Sequence, residues 1–213
     1  MTPFVLLVGP PGAGTSTVAR ELAAARGLAV VDTERVTAEQ LGHTDVATAF
    51  VVRGEDAFRA AETQVVLALL GGRAVPGDGD GGDGDGDGES AVPEGSGVAP
   101  EESDAAVTAG PDSSPVVVAL GSGALTAPEV RDAVVGLPLV QLTVSLAHAA
   151  PRLGLSTARP VFLGNPRAQW ARLAQERRAL YDTVAVAAVD TDDRTPAQVA
   201  ADVVRVLEER DPR

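Results

Sequence analysis

An apolar run, Phe4 to Val8, leads straight into Gly9-Pro10-Pro11-Gly12-Ala13-Gly14-Thr15-Ser16, and Thr17-Val18-Ala19-Arg20-Glu21-Leu22 continues as a helix. Few features restrict a fold more. A strand, a glycine-rich turn and a helix in immediate succession form the setting of a P-loop, whose pattern ends Gly-Lys-Ser/Thr. The frame of that pattern is intact, with Thr15 standing at the lysine position. Gly12 and Gly14 let backbone N–H groups turn toward a phosphate, and the helix N-terminus adds its own. Ser16 offers a hydroxyl to Mg²⁺ and equally suits a helix N-cap. Gly9, Gly12, Ala13, Gly14, Thr15, Ser16 and Thr17 are therefore the candidate phosphate contacts.

No displaced lysine can stand in for the missing one. All 17 basic residues are arginine, and isoleucine and cysteine are absent too. Without cysteine, disulfides and thiolate metal sites are excluded. Met1-Thr2-Pro3-Phe4 carries no charged leader, and no apolar run approaches the roughly 20 residues that span a bilayer. A soluble, cytoplasmic chain with no membrane partner is expected. The net charge of −13 argues against a nucleic-acid surface. Eleven of the 30 acids lie in 74–115, which has no base, so 19 acids face 17 bases elsewhere. The acidity belongs to that segment.

Residues 74–115 combine a Gly/Asp tract with a Ser/Glu/Pro/Gly-rich stretch, which has little to bury and repels itself; a disordered insert is expected. The flanking pieces alternate. Phe4–Val8, Leu28–Val31, Val116–Leu120, Leu139–Val144 and Val184–Val189 read as strands. Ser16–Arg26, Glu55–Leu70 and Pro166–Tyr181 read as helices, the second with Phe58, Ala61, Val65, Ala68 and Leu69 at helical spacing. Trp170, Leu173, Ala174 and Leu180 form a stripe on the third. Thr195-Pro196 supplies a cap and an N1 proline for a closing helix to about Glu209. The pattern predicts one α/β domain over 1–213, a parallel sheet flanked by helices, with ligands at the C-terminal ends of its strands.

Further segments join the P-loop. Val31-Asp32-Thr33-Glu34 follows the second strand. Gly54-Glu55-x-x-Phe58-Arg59-x-x-Glu62 opens a helix, and Leu120-Gly121-Ser122-Gly123-Ala124 ends the third strand. Arg152 and then Arg159-Pro160-Val161-Phe162 read as a loop. Arg177-x-x-Leu180-Tyr181 lies on a helix, and Val189-Asp190-Thr191 with Arg194-x-Pro196 closes the chain. In this order and spacing the ensemble resembles the shikimate kinases, over everything except the insert.

The resemblance implies a P-loop fold of the nucleoside-monophosphate-kinase type. The implied reaction is Mg²⁺-dependent transfer of phosphate from ATP to shikimate, acting as a monomer. Carried over residue by residue, it sets Asp32 with Ser16 near Mg²⁺ and Glu34 on the reacting hydroxyl. Arg59 and Arg177 would grip the substrate carboxylate, and Gly121, Ser122 and Gly123 would approach substrate and γ-phosphate. Arg159 would reach the phosphates, while Arg152, Arg194 and Pro196 would enclose the adenine. The residue types suit these tasks: a guanidinium binds a carboxylate bidentately, and an acid beside a hydroxyl orients it and accepts its proton. Taken singly, Arg59 with Glu62 also reads as a surface helix pair and Asp32 as a turn former.

Three positions depart from the family pattern. Thr15 removes a charge, Glu34 replaces an aspartate and extends the carboxylate by one methylene, and Ser122 adds bulk between two glycines. Loss of a preorganised donor costs about 10²–10³ in rate, and misplacement of about 1 Å can cost about 10². Impaired turnover is the expectation. Two alternatives stand beside it: a regulatory pseudokinase that binds ligands without turnover, and a kinase for another hydroxylated acid such as gluconate. Asp83-x-Asp85-x-Asp87-Gly88-x5-Glu94 satisfies a calcium-loop pattern but lies in glycine-rich sequence without flanking helices, so it reads as coincidence. His43 and His148 show no ligand or triad partners in the sequence and read as ordinary surface or helix residues.

Overall fold

The computed structural model describes residues 4–71, 115–155 and 165–210. Five strands form one sheet in the order β2-β3-β1-β4-β5, every pair parallel. They are β1 (Phe4–Val8), β2 (Ala29–Asp32), β3 (Val116–Ala119), β4 (Leu139–Thr143) and β5 (Ala187–Asp190). Among the described residues eight α-helices connect and cover them: α1 (Thr15–Arg26), α2 (Thr33–Gln40), α3 (Val46–Arg53), α4 (Glu55–Leu70), α5 (Pro128–Val134), α6 (Leu146–Arg152), α7 (Pro166–Val184) and α8 (Pro196–Arg210).

Successive side chains of a strand point to opposite faces, and the core divides accordingly. Leu6 and Val8 pack with Val66 and Leu69 of α4, Val130 of α5 and Tyr181 of α7. Leu7 faces the other way, with Val18 and Leu22 of α1 and Val199 and Val203 of α8. Both faces of β1 and β3 are covered, which is why those strands are almost wholly apolar. A third, smaller cluster joins Ala38, Ala49 and Phe58 beneath α2, α3 and α4.

The expected alternation is present, with local corrections. Helix α7 runs on to Val184, its ladder closing with Ala185 N donating to Tyr181 O, so the last strand begins only at Ala187. Arg152 is not in a loop; it is the last residue of α6. Asp32 does more than turn the chain, since it caps α2 by accepting from Arg35 N at 3.2 Å. The insert, Pro115 apart, lies outside the described residues, as do the calcium-loop pattern and Arg159. Among the described residues no helix is long and apolar enough to cross a membrane.

Leu7 is fully buried at the centre of the sheet. Leu7→Ala should cost about 2–5 kcal/mol through lost burial and a residual cavity. Urea unfolding should show a lower midpoint at unchanged slope.

Candidate active site

The loops leaving β1, β2 and β3 emerge side by side at the C-terminal edge of the sheet, where open α/β folds hold ligands. Residues 9–14 wrap into a tight turn closed by Ala13 N donating to Pro10 O, with φ of 87° at Gly12 and 82° at Gly14. Gly14 is the N-cap of α1 and Thr15 its first residue. Ser16 is thus not the cap expected of it, and it borders a cleft. That cleft, of about 500 Å³, runs from Gly9, Gly12, Gly14, Thr15, Ser16 and Thr17 to Asp32, Glu34, Gly121 and Ser122, with Arg152 beside it. A neighbouring hollow of about 270 Å³ is bordered by Ala13, Gly14, Thr17, Arg152, Thr191, Arg194 and Pro196.

Glu34 stands in the first turn of α2, directly after β2. Its Oε1 accepts from Ser122 N at 3.3 Å and lies 3.8 Å from Arg59 Nη1. Burial raises its pKa above 4.5; Arg59 works against that shift and Asp32 adds to it. Arg59, on α4, donates to Glu62 Oε2 at 2.5 Å, and its guanidinium lies 5.0 Å from the Phe50 ring centre. The surface-pair reading of Arg59 and Glu62 fails, because Glu62 is fully buried with Oε1 unpartnered in the structure. Burial raises its pKa as well, with Arg59 opposing.

The triplet at 121–123 threads between these groups. Gly121 N donates to Thr33 Oγ1 at 2.9 Å, which fixes the loop against α2. A Cβ at Gly121 would overlap Glu62 Oε1 and stand 2.6 Å from Glu34 Cγ; one at Gly123 would overlap the Arg59 guanidinium. Position 122 differs. Its side chain has room, and Ser122 Oγ accepts from Arg177 Nη1 at 2.6 Å. The bulk expected to obstruct the loop instead gives a buried arginine a partner. Burial lowers the Arg177 pKa.

Helix α7 ties the two halves of the site. Trp170 Nε1 donates to Pro11 O at 2.9 Å, while the Tyr181 hydroxyl lies 2.5 Å from Ser122 O and 3.3 Å from Gly9 O. Burial pushes the Tyr181 pKa well up, which keeps the phenol a donor. Thr33, Trp170 and Tyr181 escaped the sequence reading as site residues. Thr33 and Tyr181 lie inside segments it quoted, and nothing in the sequence singled out a long-range role for Trp170. His148 is not isolated either. It meets Ser145 Oγ at 3.0 Å, Asp192 at 3.1 Å and Asp193 at 2.9 Å, and the Asp193 hydrogen bond leads in raising its pKa. His43 Nε2 is buried without a partner in the structure.

The comparisons with known proteins converge. The sequence profile of the family described as shikimate kinase matches residues 11–79 and 101–208. The chain belongs to the shikimate kinase family. Its relatives include the shikimate kinase of Thermobifida fusca, 35% identical over 96% of this chain and 95% of that one. The shikimate kinase of Rhodococcus jostii is 33% identical over 98% of this chain and 100% of its own length. The fold matches a solved shikimate kinase from Acinetobacter baumannii in complex with shikimate, with a TM-score of 0.70, 21% identity and coverage of 100% and 97%. In this shikimate kinase family member Asp32, Glu34, Gly121, Ser122 and Arg152 gather at the cleft with the P-loop. Arg59 and Arg177 stand behind them through Glu34 and Ser122, and Arg194 and Pro196 border the second hollow.

The chain has one tryptophan, and its indole is bonded to the P-loop. Adding ATP, ADP or tripolyphosphate should change its fluorescence saturably, and Trp170→Phe should abolish the signal without abolishing binding. A titration with no change at ligand saturation would show that the loop does not respond to phosphate.

Proposed function

We propose that the chain is an ATP-dependent shikimate kinase whose candidate residues act in the roles that their geometry supports. The observation that carries the reading is the meeting of two arginines from separate helices with Glu34 at the 121–123 loop, across the cleft from the P-loop. Two guanidiniums suit a small carboxylate, and the adjacent Glu34 suits a hydroxyl on the same molecule.

In this reading the hydroxyl oxygen of shikimate forms a bond to the γ-phosphorus as the bond to the β,γ-bridging oxygen breaks. ADP leaves, and Glu34 takes the hydroxyl proton. The raised pKa makes Glu34 a better proton acceptor than an ordinary glutamate. Backbone N–H groups of 9–16 and the start of α1 receive the phosphates. Mg²⁺, which neutralises phosphate charge, would be held by Ser16 and Asp32. No cluster of three or more metal-binding side chains occurs among the described residues. That suits an ion that keeps several waters and takes most other ligands from phosphates. Arg194 and Pro196 border the hollow suited to the adenine. The enzyme works in this reading as a cytoplasmic monomer.

Neither alternative gains ground. Relatives spanning nearly the whole chain carry the shikimate kinase name, and the extra reach of Glu34 and the bulk of Ser122 are accommodated by Arg59 and Arg177. Purified protein should release ADP from MgATP only when shikimate is present; gluconate should not replace it. Saturable ligand binding without turnover would establish the pseudokinase instead. Because Glu34 must be ionised to accept a proton and its pKa lies above 4.5, the rate should fall on acidification with an apparent pKa above that value. Glu34→Gln should remove that limb and lower kcat by about 10²–10⁴.

A further inference from the structure

The phosphate loop of this chain lacks its cation, and the cleft it faces contains two carboxylates. Asp32 and Glu34 both border it, and Thr15 offers no charge to set against them. Even with Mg²⁺ held beside Asp32 and with Arg59 3.8 Å from Glu34, a triphosphate entering such a site lacks the fixed positive charge that a lysine would set at the turn. Lysine occurs nowhere in the chain. Among the described residues bordering the cleft, Arg152 is the one cation.

Its placement is built into the fold. Helix α6 packs hard on the P-loop: a Cβ at Gly12 would stand 3.1 Å from Ala149 Cβ and 3.3 Å from Leu153 Cδ1. This delivers Arg152, at the end of α6, beside the turn, where Nη1 donates to Gly12 O at 2.9 Å. That bond uses one of five guanidinium N–H groups. No carboxylate pairs with Arg152 among the described residues, whereas Arg59 is paired with Glu62 and Arg194 with Asp202. Arg152 is thus an anchored, solvent-accessible and unneutralised charge at the phosphate turn.

We propose that Arg152 supplies the positive charge that Thr15 lacks, contacting the terminal phosphates of the bound nucleotide through the N–H groups not spent on Gly12. The proposal rests on the kinase reading above. It gives Arg152 a task distinct from enclosing the adenine, the role implied for it by resemblance. It also explains how a P-loop can work with threonine at its lysine position.

The test compares Arg152→Gln, Thr15→Lys and the double variant in the full-length protein, by calorimetry and in the shikimate-dependent ADP assay. Glutamine keeps an N–H for Gly12 O and removes the charge. Arg152→Gln should weaken tripolyphosphate and ATP binding roughly 10- to 100-fold while changing AMP affinity less than about threefold, and kcat should fall about 10²-fold or more. Thr15→Lys alone should gain less than about tenfold, yet in the double variant it should restore ATP affinity to within about fivefold of the native protein. Rescue by a charge at position 15 is a result that mere shaping of the loop would not produce. Equal losses of AMP and ATP affinity would assign Arg152 to the adenine alone. Unchanged tripolyphosphate binding, or a double variant as weak as Arg152→Gln, would overturn the proposal. Absence of turnover in both the native protein and Thr15→Lys would reject the kinase reading instead, while the binding measurements would still decide the role of Arg152.

Discussion

The buried pair between Glu62 and Arg59 is the constraint around which the side of this site opposite the P-loop is arranged. A carboxylate taken fully out of water is costly unless it is paired, and removing one partner of such a pair leaves an uncompensated charge costing about 3–5 kcal/mol. Glu62 therefore holds Arg59 in one place. The stacked rings of Phe50 and Phe58, 4.2 Å apart, line the guanidinium, and Glu34 approaches it from α2. The loop after β3 passes through the remaining space only because positions 121 and 123 have no side chain. The need for those glycines follows from the ion pair beneath them, independently of any ligand.

Charge is distributed unevenly across the site. Across from the P-loop Arg59 is ringed by Glu34, Glu55 and Glu62, and Arg177 is stabilised by a neutral serine hydroxyl. An incoming carboxylate would thus find one arginine already neutralised and one still open to it. At the P-loop turn the situation reverses, with a neutral Thr15 and an Arg152 that no carboxylate pairs among the described residues. A lysine-free chain has only arginine for these tasks. The guanidinium's spread of donors lets one group bond Gly12 O and still face the cleft.

The parallel sheet was legible because its elements advertise themselves: β3 opens on three successive valines, and α4 matches its expected bounds. The short helices were not. Val46–Arg53 is rich in β-branched residues and carries no helix signal of its own; it forms where Asp45 caps it by accepting from Thr48 N at 2.8 Å and where Ala49 packs on Phe58. Helix α2 begins inside a segment quoted for its acids, and its start decides what they do. Asp32 becomes a cap, Thr33 an anchor for Gly121, and Glu34 a first-turn side chain directed at Ser122. The burial of Glu62 could not be read from spacing, because an i,i+3 acid–arginine pair looks the same on a wet helix face as in a core.

Helix α7 explains why departures at single positions need not dismantle the site. Trp170, Arg177 and Tyr181 recur at about two-turn and one-turn intervals on its buried face. From that face they reach Pro11, Ser122 Oγ, and the carbonyls of Gly9 and Ser122. The P-loop and the 121–123 loop are therefore referenced to one rigid element rather than only to each other. A serine between two glycines is absorbed because Arg177 already stands opposite it and Tyr181 holds the same residue's carbonyl. No comparable partner stands opposite Thr15 on α7; among the described residues bordering the cleft, the cation nearest to hand is Arg152, at the end of α6.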